Sequence, residues 1–493
     1  MKNVFTCLLF FLLILEGNTE TNSYNYDSYS AVSTNTNLNS QTVTSTTADQ
    51  SAVYITNSGI TISESTIQKT SGDSSNVENS EFYGVNAAIL VQKGGVTITG
   101  GTITTAAKGA NAVCATNDGQ VTISKTTITS TGSGSARGLH ATYGGTIDAS
   151  DVTISSTGGS CATLATDRGE GTVTCTGCTL STAGSGSPLI YSTGTITISG
   201  SSGTATKAQM VVVEGKNTAT VQNNSSLKGT GLGNRNNVDN CGVFLYQSMS
   251  GDADTGTSIF NCKESTLEIE SSSSVYSSAP MFFITNTDSQ INLEDCTFNY
   301  GSGTFLNAAS TSEWGNSGSN GGTVTLTLTN QNIEGDFVVD SISSLTINMV
   351  NSSIKGKINN NKISTTVGIN LDANSKIYLT GDSYLSSLTN SDSTGSNINK
   401  GSYTFSDTSG NELTATGTFN INSTSTFSTD TNDSTDNSDS NSSSNSNEAD
   451  TTQNTIENTD ETDNIEKINV NSCENIKLAI SISLLCMFLF FKF

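Results

Sequence analysis

A short motif recurs along this chain between Ile60 and Leu345. In each copy, two apolar residues flank a polar one, and in most copies a further apolar residue follows five positions later. Clear copies are Val96-Thr97-Ile98, Val121-Thr122-Ile123, Ile147-Asp148-Ala149, Val173-Thr174-Cys175, Ile196-Thr197-Ile198 and Ala219-Thr220-Val221, which start 25, 26, 26, 23 and 23 residues apart. A repeat of this length with strand-like alternation is typical of a solenoid, in which each copy forms one coil stacked on the previous coil.

The alternation within one coil predicts which side chains form the core. Val121, Ile123 and Ile128 are expected to point inward and Thr122 to point outward. Gly- and Ser-rich stretches supply the corners, and no six-residue period of the left-handed type occurs. A thin stacked core also suits a chain that is only 33% hydrophobic. The sequence therefore predicts an all-β parallel β-helix of roughly a dozen coils, about 4.8 Å apart.

Changes in composition divide the chain into segments. Residues 18–50 are predicted to form an N-terminal cap or a disordered lead-in, because they are rich in Ser, Thr and Asn without sustained periodicity. Residues 51–358 carry the parallel β-helix, and residues 359–422 are expected to form weaker final coils or a β cap. Residues 423–470 contain almost no apolar side chains, which predicts a disordered acidic stalk rich in Ser, Asn and Asp.

Both ends of the chain carry features of targeting segments. Residues 1–17 are typical of a secretory signal peptide, with Lys2 before an apolar run. Residues 471–493 end in a short apolar tail, which favours a GPI attachment signal at Asn471 or Ser472, or at Asn469. A single membrane-spanning anchor is the alternative, although the tail is short for a span. Both readings predict an extracellular protein anchored to the cell surface, in contact with the membrane through its C-terminal segment.

Charge and glycosylation motifs agree with that location. A formal net charge of −24 with three arginines excludes a basic footprint, so nucleic acid is not an expected partner. Sequons for N-linked glycosylation occur at Asn223, Asn224, Asn351, Asn422, Asn432 and Asn441.

The cysteines do not predict a metal site. Cys175 and Cys178 form a CxxC pair, but the second pair or the histidines that zinc requires are missing. Both also occupy positions where the repeat places inward residues, so they can equally be core residues. In a secreted chain, a disulfide between neighbouring coils, such as Cys161 with Cys175 or Cys178, is a further possibility.

Rare residue types cluster on successive coils. The only histidine, His140, lies close in sequence to Arg137 and Arg168. Stacking at about 5 Å per coil would bring one column of corner residues together. The predicted carbohydrate-binding column is Asp118, Tyr143, Asp167, Arg168, Tyr191, Glu214 and Lys216. Carboxylates accept bonds from sugar hydroxyls, cations neutralise uronates and aromatic rings stack on sugars.

The same residues could support catalysis. The candidates are Arg137, His140, Asp167, Arg168, Glu214 and Lys216. A polysaccharide lyase would use Arg168, Lys216 or His140 as the base, with Ca²⁺ as the one cofactor considered. A glycoside hydrolase would use Asp167 and Glu214. The competing interpretation is that these are ordinary corner residues and surface ion pairs.

Two insertions interrupt the repeat, at residues 229–241 and 310–322, the second of which contains Trp314. Insertions in a solenoid project from one face, which is often the binding face. We therefore expect these two segments to mark a functional surface.

A resemblance to a known protein superfamily covers roughly residues 50–360. It rests on the Val-Thr-Ile coils and on the segments RGLHATYGGT (137–146) and LATDRG (164–169). It resembles the right-handed parallel β-helix (pectate-lyase-like) superfamily, and is more similar to adhesin-type surface β-solenoid proteins. That superfamily includes lyases, hydrolases, phage tailspikes and adhesins, so the fold implies no single activity. The Asp cluster and catalytic Arg of pectate lyases are not visible here, and no catalytic role carries over.

Three functions are consistent with these features. The first is an adhesive or carbohydrate-contacting surface protein, whose partner is an extracellular or cell-wall polysaccharide or another cell surface. The second is a surface-displayed polysaccharide lyase or glycoside hydrolase. The third, an ice-binding protein, rests on outward Thr pairs such as Thr97/Thr99, but Asp148 and uneven coil lengths interrupt that array.

Overall fold

The computed structural model describes residues 21–421 except residue 236. Several predictions lie outside these residues: the signal peptide, the stalk, the GPI or membrane anchor with Asn471 and Ser472, and the sequons at Asn422, Asn432 and Asn441. Among the described residues, no helix combines the length and apolar character needed to cross a membrane.

The described chain winds through three long parallel sheets, to which each coil contributes one strand per sheet. Strands are numbered in chain order. The first sheet contains β1 (Ala31–Thr34), β4 (Ser51–Ile55), β7 (Ile89–Gln92), β10 (Val113–Thr116), β13 (Leu139–Ala141), β16 (Leu164–Thr166), β19 (Ile190–Ser192), β22 (Val211–Glu214), β25 (Val243–Tyr246), β28 (Phe282–Thr285), β31 (Thr304–Ala308) and β34 (Asp336–Val339).

The second sheet receives a strand from each of 14 described coils. It contains β2 (Leu38–Asn39), β5 (Ile60–Ser63), β8 (Gly95–Thr99), β11 (Gln120–Ser124), β14 (Thr146–Ser150), β17 (Thr172–Thr176), β20 (Thr195–Ser199), β23 (Thr218–Gln222), β26 (Thr257–Lys263), β29 (Thr287–Glu294), β32 (Gly322–Thr329), β35 (Ser344–Val350), β37 (Val367–Leu371) and β40 (Ser387–Asn390).

The third sheet contains β3 (Thr42–Ser45), β6 (Thr66–Lys69), β9 (Thr102–Thr105), β12 (Thr127–Ser130), β15 (Thr153–Ser156), β18 (Thr179–Thr182), β21 (Ser202–Ala205), β24 (Ser226–Gly229), β27 (Thr266–Ile269) and β30 (Thr297–Asn299). In the last coils it is replaced by a four-stranded sheet of β33 (Asn332–Glu334), β36 (Ser353–Gly356), β38 (Lys376–Leu379) and β41 (Ile398–Asn399), and a pair, β39 (Ser383–Leu385) and β42 (Phe405–Asp407). The predicted all-β parallel β-helix is confirmed.

Strand alternation builds the core. In β11 the side chains of Val121 and Ile123 are buried, while Thr122 between them is exposed. Parallel register places Ile98, Ile123 and Ala149 in one inward column, one residue per coil. Because burying each Ile or Val contributes about 1.5–3 kcal/mol, a few inward residues per coil suffice for a stable stack.

Two-residue corners join the second sheet to the third. The first corner residue repeatedly adopts positive φ, at 54° for Lys125, 53° for Asp151 and 50° for Asn330. This conformation turns the chain sharply enough to start the next strand without a longer loop. Glycine takes the position in other coils, as at Gly177 with φ of 64°.

The coils begin earlier than the predicted boundary at residue 51. Residues 31–45 already form the first coil, in which Leu38 and Val43 are buried. These two inward residues are enough to place a Ser/Thr-rich segment in register with the next coil. At the other end, coils continue through β42, within the segment that we expected to be weaker coils or a cap.

Most of the longer connections flank the first sheet. One of them, between β6 and β7, contains α1 (Val77–Tyr83), which begins after the Asn76 cap and ends at Gly84 with φ of 72°. The predicted insertions lead into β25 and away from β31, and a further loop follows β25. The two insertions therefore do meet one sheet, as their position in the repeat suggested. The α-helix was not predicted.

Two disulfides form in the described residues. One joins Cys175 to Cys178 within a corner, and the other joins Cys262 to Cys296 on neighbouring coils. Cys161 is a buried free thiol. The suggested pairing of Cys161 with Cys175 or Cys178 was wrong, because the repeat brings the CxxC pair together across its own corner.

Candidate binding site on the first sheet

The first sheet differs from the others because its outer face is covered. In β10, β13 and β22 residues that point outward are as buried as those that point inward. Residues 21–30, α1 and the insertion that carries Trp314 pack on this face, where Tyr26 and Tyr29 contact Tyr54.

Register separates the predicted column into several positions. His140, Ala165 and Tyr191 align in one outward column. Asp167 directly follows β16, and Glu214 is the last residue of β22, two coils further on. Tyr143 and Arg168 lie one position further on, beside Asp118, whose N–H donates to the carbonyl of Tyr143 at 3.1 Å. The single predicted column was therefore wrong, because the connections from the first sheet to the second contain between two and five residues in these coils.

Arg137 and Asp167 form a buried ion pair. The Nη1 atom of Arg137 lies 2.7 Å from Oδ2 of Asp167, with both side chains less than 10% exposed. Burial raises the pKa of Asp167 to about 6, against the opposing attraction of the Arg137 guanidinium. The guanidinium also lies over the ring of Tyr191, 5.7 Å from its centroid. Arg137 is therefore engaged by the Asp167 carboxylate at Nη1 and by the Tyr191 ring.

His140 is fully buried next to this pair. Its Nε2 donates to the carbonyl oxygen of Glu81 in α1 at 2.6 Å, and Nη1 of Arg137 lies 3.4 Å from its Nδ1. Burial and the Arg137 cation lower the pKa of His140 to about 3. The imidazole is therefore neutral at physiological pH and connects α1 to the sheet.

Two further contacts hold α1 in place. The guanidinium of Arg168 lies 4.0 Å from the centroid of the Phe82 ring and 2.9 Å from Asp252 on the loop after β25. Glu81 accepts a hydrogen bond from the hydroxyl of Ser135. Arg168 therefore links two of the connections that cover the sheet.

Glu214 is the centre of a second buried group. Its Oε2 accepts from the hydroxyl of Tyr191 at 2.5 Å and from the hydroxyl of Tyr246 at 2.6 Å. Glu214 is 1% exposed, whereas both tyrosines are partly exposed. Burial and the Glu214 carboxylate raise the pKa of each tyrosine well above its ordinary value, so both hydroxyls remain donors.

An aromatic cluster continues from Tyr246 along the sheet. The Phe244 ring stacks on Phe283 at 5.6 Å and on Tyr246 at 4.5 Å. The Trp314 ring packs against Phe244 and Tyr246 at 5.2 and 5.3 Å. Trp314 thus covers one end of the face, and α1 covers the other end.

The remaining predicted residues lie at the surface. Lys216 is exposed and bridges Glu170 at 2.8 Å and Asp254 at 3.1 Å. Such exposed pairs contribute little to stability. Asp118 is also exposed.

The geometry separates the catalytic candidates. Arg137, His140 and Asp167 are buried together beneath α1, and Glu214 lies with tyrosines two coils away from Asp167. Within the described residues, no three His, Cys, Asp or Glu side chains lie close enough together to hold a metal ion. What this face offers chemically is a row of aromatic rings beside buried hydrogen-bonding groups.

Sequence reasoning missed Tyr246 and the part played by α1. Tyr246 ends the run Val243–Tyr246, and similar unbroken apolar runs occur at Ile89–Val91 and Val211–Val213. Runs without alternation indicate strands buried on both faces, and this signal could have identified the covered sheet.

Comparison with known proteins supports the fold. The family model described as a right-handed beta helix region matches residues 69–226. That stretch contains Arg137, His140, Asp167 and Glu214, and ends before Tyr246 and Trp314. No curated protein and no solved structure matches the chain. The predicted resemblance to right-handed β-helix proteins is thereby confirmed, and the similarity to adhesin-type proteins stays a prediction.

Proposed function

We propose that this chain is an extracellular β-helix protein, anchored at the cell surface, that adheres through contacts with carbohydrate. Its partner would be an extracellular or cell-wall polysaccharide or the glycan coat of another cell. The sequence features at both ends support the location, and the polar outer faces of the coils support the contact.

The observation that carries this proposal is a ladder of polar side chains on the second sheet. Register aligns one outward residue per coil: Thr97, Thr122, Asp148, Thr174, Thr197, Thr220, Asn261, Asn292, Thr327, Asn348 and Asn370. The amide of Asn292 donates to Asn261 at 2.9 Å, and that of Asn370 donates to Asn348 at 2.9 Å. Hydroxyl and amide groups repeated about every 4.8 Å match the hydrogen-bonding groups of an extended glycan.

The enzymatic alternative, a surface-displayed lyase or hydrolase, has less support. Proton transfer requires a group that reaches the substrate, and His140 and Arg137 instead contact α1 and Asp167. A lyase that uses Ca²⁺ would need a cluster of oxygen ligands, and the described residues contain no such carboxylate group.

Glycan-array binding by the purified full chain tests the proposal. We expect retention of at least one class of polysaccharide without release of product. An unsaturated, ultraviolet-absorbing product would support a lyase, and new reducing ends would support a hydrolase. Either product, or the absence of binding to any glycan and to intact cells, would contradict adhesion.

The ladder itself can be tested by substitution. Replacing Asn261 and Asn292 with Leu should reduce glycan retention, because the donors and acceptors at two successive coils are lost. Thr153→Leu and Thr179→Leu, at aligned exposed positions of the third sheet, provide the matched control. Equal effects of both pairs would contradict a role specific to the second sheet.

A further inference from the structure

Buried polar atoms without hydrogen-bond partners gather around the aromatic cluster. Five of them, among the described residues, are the Oε1 atoms of Glu214 and Gln247, Oδ1 of Asn320, and the hydroxyls of Thr193 and Thr285. Each of these residues is less than 9% exposed. Buried polar groups are normally hydrogen-bonded, because an unpaired one costs about 1–3 kcal/mol.

Two of these groups belong to one outward column, because register places Glu214 next to Tyr246 and Tyr246 next to Thr285. Thr193 directly follows Ser192, the last residue of β19, which pairs with Val213 next to Glu214. Neighbouring members of such a column are about 4.8 Å apart. A molecule the size of one sugar ring can therefore contact more than one of them.

The other two groups lie at the edge of the same cluster. Gln247 follows Tyr246 in the chain. The backbone carbonyl oxygen of Gln247 accepts a hydrogen bond from the side-chain amide of Asn286 at 2.8 Å. The backbone N–H of Asn286 in turn donates to the carbonyl oxygen of Asn320 at 3.0 Å. Asn320 also donates to the carbonyl oxygen of Trp314 at 2.7 Å. These bonds connect Gln247 and Asn320, through Asn286, to the insertion that carries Trp314.

The chemistry of the unpaired atoms selects the kind of ligand. Three of the five are carboxylate or amide oxygens, which only accept hydrogen bonds, and the other two are hydroxyls. The other oxygen of Glu214 is already occupied by two tyrosine hydroxyls. A ligand that completes this region must therefore supply several donors.

Charge narrows the choice further. The Arg137 cation is already paired with Asp167, so it does not neutralise an anionic ligand. A uronate carboxylate placed against Glu214 would meet a like charge. The partly exposed rings of Tyr191 and Tyr246 and the ring of Trp314 offer apolar surface for the carbon face of a sugar.

From this arrangement we propose that the region around Glu214 binds one neutral sugar residue, whose hydroxyls donate to Glu214 Oε1 and neighbouring acceptors while its ring packs on Tyr191, Tyr246 and Trp314. The proposal rests on the proposed carbohydrate-contacting function and adds both a location and a preference for uncharged sugars. Trp314 lies beside the exposed residues Ser312 and Glu313 on an irregular connection. Its ring packs against Tyr246, whose hydroxyl donates to Glu214, so a ligand bound there changes the surroundings of the indole.

The chain provides its own reporter for this site, since Trp314 is the only tryptophan. Tryptophan emission of the full chain is recorded during titration with neutral gluco-, manno-, galacto- and xylo-oligosaccharides. Glucosamine and galacturonate oligomers serve as the charged comparisons. We expect a saturable change in emission with at least one neutral oligosaccharide, and weaker or no response to galacturonate.

Two variants locate the site. Glu214→Gln should weaken the binding of the responding oligosaccharide by about tenfold or more, because a charged acceptor is lost. Tyr300→Phe is the matched control, since it removes a hydroxyl that donates to the carbonyl oxygen of Glu334 at 2.6 Å outside this cluster. If circular dichroism shows that Glu214→Gln does not fold, Thr193→Val takes its place and should weaken binding in the same direction.

The outcomes separate this proposal from the broader one. If the full chain is retained by a glycan array but no neutral sugar changes the Trp314 emission, the site proposal is wrong and adhesion stands. Unchanged affinity in the Glu214 and Thr193 variants, or preference for galacturonate, also overturns it. Absence of binding in both assays overturns both proposals.

Discussion

His140 gives a sharp test of the covered face, because it is the only histidine in the chain. Its pKa is about 3 in the folded protein and 6.5 in its ordinary state. A group whose pKa is lowered by folding does not affect stability at a pH above its pKa in the unfolded chain. As pH falls below that value, the unfolded chain binds the proton first, and the free energy of unfolding decreases. The free energy of unfolding should therefore lose the His140 contribution progressively between pH 6.5 and pH 3.

The magnitude follows from these two values. At pH 5 the unfolded imidazole is largely protonated while the folded one is neutral, which favours unfolding by about 2 kcal/mol relative to pH 8. Asp167 acts in the opposite direction, because its folded pKa is raised to about 6 from 3.8. It therefore adds about 1 kcal/mol as pH falls from 8 to 5. Wild-type protein should show only the small difference between these contributions.

Direct titration avoids this cancellation. In protein labelled only at histidine, nuclear magnetic resonance should show one imidazole whose shifts stay constant from pH 8 to about pH 4. A His140→Gln variant lacks the imidazole, so its free energy of unfolding should not carry the loss caused by His140. Measured with denaturant, its change between pH 8 and pH 5 should be more favourable than that of wild type by about 2 kcal/mol. A resonance that titrates with a midpoint near 6.5 would show that His140 faces water, and the buried contact with α1 would be wrong.

Three further predictions concern stability and are measured by urea unfolding. Arg137→Ala should lower the free energy of unfolding by about 3–5 kcal/mol, because Asp167 is left buried without its partner. Replacing Arg137 by Met and Asp167 by Leu together should lower it by less, and an equal loss would contradict a coupled pair. Lys125→Gly should raise stability by about 0.5–1 kcal/mol, since φ of 54° strains a side chain, and a loss would contradict this. Under oxidising conditions, Cys262→Ser should cost about 4 kcal/mol because the bond to Cys296 closes a loop across 34 residues, and an unchanged midpoint would contradict a formed disulfide.

The regular part of the fold was predictable because one local rule determines it. Alternation in segments such as Val121–Ile123 specifies which side is buried, and the repeat length specifies the register of the next coil. Prediction of the candidate site required the alignment of individual residues between neighbouring coils. Tyr191 aligns with Ala165, two positions before Asp167, and a repeat length averaged over coils does not resolve that difference.

The cover of the first sheet was harder to predict for a different reason. The sequence of α1, Val-Glu-Asn-Ser-Glu-Phe-Tyr, has only seven residues and no repeated apolar stripe, and so short a helix depends on tertiary contacts. Phe82 and Trp314 both lie in connections outside the repeat. Their contacts with the sheet follow from long-range packing, which the periodic pattern does not encode.

The buried polar groups of this face are not needed for the stability of the coils. The stacked apolar columns supply that, and a buried ion pair such as Arg137–Asp167 commonly contributes no more than an apolar pair of the same size. The polar groups instead fix the orientation of their neighbours. His140 donates a hydrogen bond to one carbonyl oxygen of α1, and Glu214 accepts hydrogen bonds from two tyrosine hydroxyls. A solenoid that served only as a spacer could bury alternating apolar residues on all three sheets and leave each outer face polar. Among the described residues, the first sheet alone combines long connections, aromatic rings and incompletely paired acceptors. That combination supports the proposed sugar site on this sheet, in addition to the polar ladder proposed as a glycan contact on the second sheet.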